Sequence, residues 1–224
     1  MSKKLNIAVI DTETATLWGE VFDFGMVITN KKGDVIDTYD SIVKEVYDNI
    51  PLMKKAFYFN KVDSFYRPNV RCNRMTVKPW AQICGEVLAL TEKHDINVVA
   101  AYNLAFDARV IKATHKKYNG SAMFSKPVKQ LDLWRVCCET LLQQKNFKKL
   151  AKELKWVSPA GNLRTNAQVS YRYGMGEWEF DESHTALDDA LIETKIMKKV
   201  FSTKQKINYG LIAHPWRLVQ EKKA

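Results

Sequence analysis

Asp11, Glu13, Asp107, His184 and Asp189 are the residues of this sequence whose types and contexts point most directly to chemistry. They lie in three local patterns. Asp11-Thr12-Glu13 ends one apolar run, Asn103-Leu104-Ala105-Phe106-Asp107 follows another, and His184-Thr185-Ala186-Leu187-Asp188-Asp189 opens a helix-like segment. Carboxylate oxygens hold hard divalent cations, and a neutral imidazole can take a proton from water. Four carboxylates and one histidine are an inventory for two-metal hydrolysis of a phosphodiester.

Each pattern also has a plainer reading. Asp11 and Glu13 could end a strand in solvent, Asp107 could complement a helix dipole, and His184 could be a polar residue before a helix. Asp11 and Glu13 stand two apart on a strand, so they share a face and repel each other unless a cation intervenes. The strand before them is apolar enough to be central, where unpaired charge is costly. Asp188 rivals Asp189, but adjacent helical residues point about 100° apart, so one of the two faces the sheet. Asp188 is assigned to the helix dipole.

Positioning these groups requires a sheet and helices. Residues 5–13 alternate, with Leu5, Ile7, Val9, Asp11 and Glu13 on one face. Residues 21–29 and 35–43 read as two further strands around the turn Lys31-Lys32-Gly33-Asp34, which makes an antiparallel meander. Residues 97–102 and 128–132 are short strands. Helices are expected over 48–66, 79–94, 105–118, 133–143, 147–154, 166–173 and 186–201. The last is amphipathic, with Leu187, Ala190, Leu191, Ile196, Met197 and Val200 inward. The expected fold is α/β: a mixed five-stranded sheet, three meander strands plus parallel ones, flanked by helices. Residues 1–202 form one domain in this reading, and 203–224 are a basic extension carrying Trp216.

Together the three patterns resemble the DEDDh, or DnaQ-like, 3′→5′ exonucleases, whose fold is RNase H-like. Their motifs D-x-E, N-x-x-x-F-D or close variants, and H-x-A-x-x-D match at Asp11/Glu13, at Asn103/Phe106/Asp107 as the shorter variant N-x-x-F-D, and at His184/Ala186/Asp189. The likeness spans roughly residues 5–200, and the compact chain resembles small bacterial or phage-encoded members. Ala15-Thr16 replaces a glycine that often follows D-x-E-T.

The resemblance implies two Mg²⁺ or Mn²⁺ ions. Asp11 bridges them, Glu13 and Asp189 complete one site, and Asp107 supports the other. His184, a general base rather than a ligand, takes the proton of the attacking water. It stands on a segment that Gly174 and Gly176 free to move. Thr12, Thr14, Leu17, Trp18, Asn103 and Phe106 are the implied substrate contacts, with Leu17 or Trp18 wedging the terminal base. Asp132 resembles a frequent family aspartate and receives no catalytic role.

Composition limits the alternatives. An apolar fraction of 46% with 27% charged residues fits a soluble globular protein, and no apolar run reaches membrane-spanning length. The basic start, Met1-Ser2-Lys3-Lys4, is followed by too short an apolar stretch for a signal peptide, so a cytoplasmic location is expected, the host's if phage-encoded. Cys72, Cys84, Cys137 and Cys138 lack metal-ligand spacing and read as free thiols in a reducing compartment. The net charge of +10 matches a polyanionic partner.

Lys148/Lys149/Lys152/Lys155 and Lys195/Lys198/Lys199 are candidate contacts, although such runs also serve as solvated helix faces. The expected activity is hydrolysis from the 3′ end of single-stranded DNA or frayed DNA ends to nucleoside 5′-monophosphates. An exoribonuclease or short-oligonucleotide hydrolase, a polymerase-bound proofreading subunit and an inactive nucleic-acid-binding module remain the alternatives.

Overall fold

The computed structural model describes residues 5–17, 19–56, 59–203 and 206–220. Six strands form one mixed sheet: β1 Asn6–Thr14, β2 Val21–Asn30, β3 Val35–Val43, β4 Val77–Lys78, β5 Val98–Ala101 and β6 Lys129–Asp132. Their order is β4-β3-β2-β1-β5-β6. The β1–β2–β3 meander is antiparallel, whereas β5 joins β1 in parallel and β6 joins β5 likewise. The mixed α/β architecture is the one expected. The sheet has six strands rather than five because Val77 and Lys78 pair with Ile42 and Val43. Two residues are too few to carry a recognisable alternation.

The segment expected as one helix over 48–66 is instead broken. After α1 Lys44–Tyr47 it holds α2 Ile50–Met53 and α3 Phe59–Lys61, then a π-helical turn at Val62–Tyr66 that leads into α4 Arg67–Arg71. Its apolar residues lack a single helical period, so no one stripe exists to bury. The longer helices are α5 Trp80–Lys93, α6 Leu104–Tyr118, α7 Leu133–Glu139, α8 Lys145–Glu153, α9 Ala167–Met175 and α10 Ala186–Thr203. The four cysteines are free, and three of them are buried.

Alternation along β1 divides the core in two. Ala8 and Ile10 pack into one cluster with Trp80 and Val87 of α5 and Leu104 and Val110 of α6. Ile7 and Val9 pack into the other with Val136 of α7 and Ala190, Ile196 and Met197 of α10. Asp11 and Glu13 share the parity of Ile7 and Val9, so they face the α10 layer. Thr12 shares the parity of Ile10 and faces α6.

Gly25 of β2 pairs with Asp11 and lies directly under the start of α10. A Cβ there would stand 2.3 Å from the backbone carbon of Ala186 and 2.4 Å from the amide nitrogen of Leu187. The missing side chain is what lets α10 sit close enough to bring Asp189 to Asp11. Gly25→Ala is therefore expected to destabilise the fold by about 1–3 kcal/mol, through backbone displacement that no rotamer change can relieve. Denaturant unfolding checks this. Gly85→Ala is the control: open space surrounds that position in α5, and the change is expected to stabilise by about 0.5–1 kcal/mol.

Candidate active site

The parallel pairing of β1 with β5 runs only from Ile7/Val98 to Val9/Ala100, so Asp11 to Thr14 project beyond the end of β5. A crevice opens there, at the carboxyl end of the parallel strands, where α/β folds commonly bind ligands. It holds a cavity of about 210 Å³ whose wall includes Asp11, Glu13, His184 and Asp189. One donor atom each from Glu13, His184 and Asp189 lies within 4.8 Å of the others. A register shift between Glu13 and Thr14 ends the regular ladder beside the cavity. A larger cavity of about 270 Å³ lies on the opposite layer against Ile10, Val99 and Leu104, and no carboxylate lines it.

Asp107 comes from the other layer. It sits in the first turn of α6, 2% exposed, and accepts a 2.8 Å hydrogen bond from the Thr12 hydroxyl. It stands behind Thr12 rather than on the cavity wall. Asn103 makes the turn into α6 with φ +69°, a left-handed conformation that asparagine tolerates, and its side chain caps nothing. Asp132 has a positioning role. Its Oδ1 accepts the amide of Asn103 at 3.2 Å and the amide of Trp134 at 3.0 Å, tying the β5–α6 turn to the start of α7. Phe106 packs against the core, with the Arg109 guanidinium 5.0 Å from its ring centroid. Arg109 also donates to the carbonyl of Leu17 at 3.0 Å, which brings the 66%-exposed Leu17 and Phe106 to one rim. Thr14 is half-buried, and Trp18 lies outside the described residues.

Asp189 projects toward the cavity while Asp188 is exposed and accepts from the hydroxyls of Thr185 and Ser183. His184 adopts φ +51°, a strained conformation for a non-glycine residue. Two groups hold this turn. Asp23, opposite Glu13 on β2, accepts from the amide of Ala186 at 3.1 Å and from the hydroxyl of Tyr66 at 3.0 Å. The ammonium of Lys61 donates to the carbonyls of Ser183 and His184. Both Lys61 and Tyr66 belong to the segment around the π-turn. Gly174 lies within α9, and Gly176 caps it with φ +77°.

Sequence reasoning missed Asp23, Lys61, Glu182 and Glu193. Glu182 and Glu193 line the cavity. Glu193 carried a readable signal, a charged residue on the inward stripe of α10, one turn beyond Asp189.

The electrostatics are those of crowded, buried acids. Burial, then repulsion by Glu193, Asp107, Glu13 and Asp189, raises the Asp11 carboxyl well above its usual range. Burial and Asp189 push Glu13 up to about 8. Burial raises Asp107 to about 7, against the Thr12 hydrogen bond. Burial and Glu182 raise Asp189 to about 7. Lys61 opposes the shifts of Glu13 and Asp189. The Oδ1 atoms of Asp189 and Asp23 are buried with no hydrogen-bond partner. A donor set dominated by carboxylate oxygens, one of them buried and orphaned, fits a hard divalent cation.

A stability signature follows. In the metal-free protein these acids bind protons more tightly folded than unfolded. Their contribution is fully present below the unfolded values near 4 and is lost as pH rises through about 7–8. In chelator the melting temperature is expected to fall between about pH 5 and about pH 8, and excess Mg²⁺ is expected to restore it at the upper end. Calorimetric melts read both.

Fold and site thus define an RNase H-like α/β protein with an acidic cavity, suited to cations, at the end of its central strand. Among solved structures, the chain is similar to E. coli Exonuclease I in complex with a 5cy-dT13 oligonucleotide, at 13% identity and TM-score 0.58, over 89% of this chain and 41% of that one. It is also similar to exonuclease I in complex with the inhibitor BCBP, at 13% identity and TM-score 0.51, over 86% of this chain and 41% of that one. Exonuclease X in complex with 5′ overhanging duplex DNA aligns at 16% identity and TM-score 0.47, over 88% and 91% of the two chains. The chain therefore spans under half of the exonuclease I structures it matches, and at these identities the likeness is one of fold. No family model and no curated protein sequence matches it. Among the described residues, no helix is long and apolar enough to cross a membrane.

Proposed function

We propose that this protein is a metal-dependent 3′→5′ exonuclease of the DEDDh group, acting on single-stranded DNA or frayed DNA ends and releasing nucleoside 5′-monophosphates. The observation that carries this reading is the convergence of Asp11, Glu13, His184 and Asp189 on one cavity, with Asp107 linked to it through Thr12. The three sequence patterns that supply these residues follow the chain order of that group. The oligonucleotide bound to E. coli Exonuclease I supports a single strand as occupant, and the net charge of +10 supports a polyanion.

Asp11, Glu13 and Asp189 would hold the cations, with Asp107 supporting from the α6 side. Bound divalent ions supply charge stabilisation of the phosphoryl group and make water easier to deprotonate. His184 accepts the proton of the attacking water as its oxygen closes on phosphorus and the bond to the 3′ oxygen breaks. Burial and the neighbouring Lys61 hold the His184 imidazole below its usual pKa, in the neutral form a base requires. Leu17 and Phe106 offer the apolar rim for the terminal base. Thr12 serves chiefly to aim Asp107, and Asn103 to turn the chain into α6.

A time course on matched 3′- and 5′-labelled single strands tests this, with Mg²⁺ and with chelator. The 3′ label is expected to leave first, as a mononucleotide, and only with Mg²⁺. RNA strands run in parallel decide the sugar. Cleavage of a circular single strand at the linear rate would make the enzyme an endonuclease and overturn the proposal.

A further inference from the structure

We infer that Glu193 is a fifth carboxylate ligand of the metal centre, holding a cation together with Asp11 on the cavity wall they share. The inference rests on the proposed metal-dependent reading and adds a ligand that the three sequence patterns do not contain.

Glu193 stands four residues after Asp189, one helical turn along α10, so the two project from one face. It is 3% exposed, yet it lines the same cavity as Asp11, Glu13 and Asp189. Its Oε2 accepts the amide of Tyr102 at 2.9 Å, which fixes the carboxylate at the end of β5, the strand beside β1. Glu193 is the strongest negative neighbour of Asp11, and Asp107 is the strongest negative neighbour of Glu193.

A purely structural role does not account for the charge. A backbone N–H is satisfied by any neutral acceptor, and a glutamine would serve. No lysine or arginine among the described residues forms an ion pair with Glu193. A buried carboxylate among five others (Asp11, Glu13, Asp107, Glu182 and Asp189), with one backbone donor, is costly unless a cation joins it. On the same helix face, the Oδ1 of Asp189 is buried without a hydrogen-bond partner. Four carboxylates balance two divalent ions, so the fifth makes the site more attractive to cations before substrate arrives.

Calorimetric titration with Mn²⁺, without nucleic acid, tests this on the full chain and on Glu193→Gln, which keeps shape and the acceptor for Tyr102. The variant is expected to bind Mn²⁺ about 10–100-fold more weakly. In chelator it is expected to melt at a higher temperature than the parent, because one buried like charge is gone. An unchanged Mn²⁺ isotherm would overturn the assignment. If circular dichroism showed the glutamine variant misfolded, Glu193→Asp supplies the same reading. It keeps the charge but withdraws it by one methylene, so weaker binding supports the inference and unchanged binding overturns it. Weakened ion uptake beside a wild type that degrades no nucleic acid would uphold this site and sink the nuclease reading. Unchanged uptake beside an active wild type would sink this site alone.

Discussion

Asp11→Asn is expected to cut hydrolysis by about 10³-fold or more while leaving the fold intact. Asp11 is under repulsion from Glu193, Asp107, Glu13 and Asp189 at once, which marks it as a centre of the carboxylate set. An amide there keeps the volume and loses the charge that draws cations to that point. Charge stabilisation of a phosphoryl group by bound cations contributes several kcal/mol, and about 1.4 kcal/mol corresponds to a factor of ten. The fold should survive, because the strand around Asp11 is held by the ladder to β2 and by Ile7, Val9 and Ile10 in the core. Removing a buried like charge should also raise the melting temperature in chelator. Turnover on a 3′-labelled strand and a melt in chelator test both halves. Full activity in Mg²⁺ would refute the assignment of Asp11.

His184→Ala is expected to lower turnover by about 10²–10⁴-fold, the usual cost of losing a general base. Ion affinity measured by calorimetry should stay nearly unchanged. The geometry makes this a sharp test. The His184 Nδ1 lies 3.9 Å from the Asp189 carboxylate, beyond hydrogen-bond length, yet its ring belongs to the same tight group as Glu13 and Asp189. A base and a ligand could both stand there. The lowered imidazole pKa places the acid limb of the rate profile below about 6.5. That limb should vanish in the alanine variant, whose rate should climb with hydroxide concentration. Loss of ion binding in step with activity would make His184 a ligand instead.

Local periodicity made much of this molecule readable. Alternation over β1 placed Asp11 and Glu13 on one face before any partner was known. The 3.6-residue period marked α10 and most of its inward residues. The same logic failed over 48–66, where apolar residues at mixed spacing build a chain of short turns around a π-helix. It also passed over Glu193, because an apolar period carries no signal for a buried acid on the inward face of α10.

What the chain alone determined was therefore the set of charged groups and, for β1 and α10, the face each one occupies. Those properties depend on neighbours within a turn or two. Which faces meet was decided by tertiary structure. Asp23 reaches the amide of Ala186 across 163 positions, and Thr12 reaches Asp107 across 95. Gly25 admits the start of α10 to close contact with the sheet, which places the inward face of that helix over the end of β1. Strand register and helix docking are fixed by burial summed over many distant residues. No local pattern encodes that sum, so the carboxylates became a site only when the two layers closed on the end of β1.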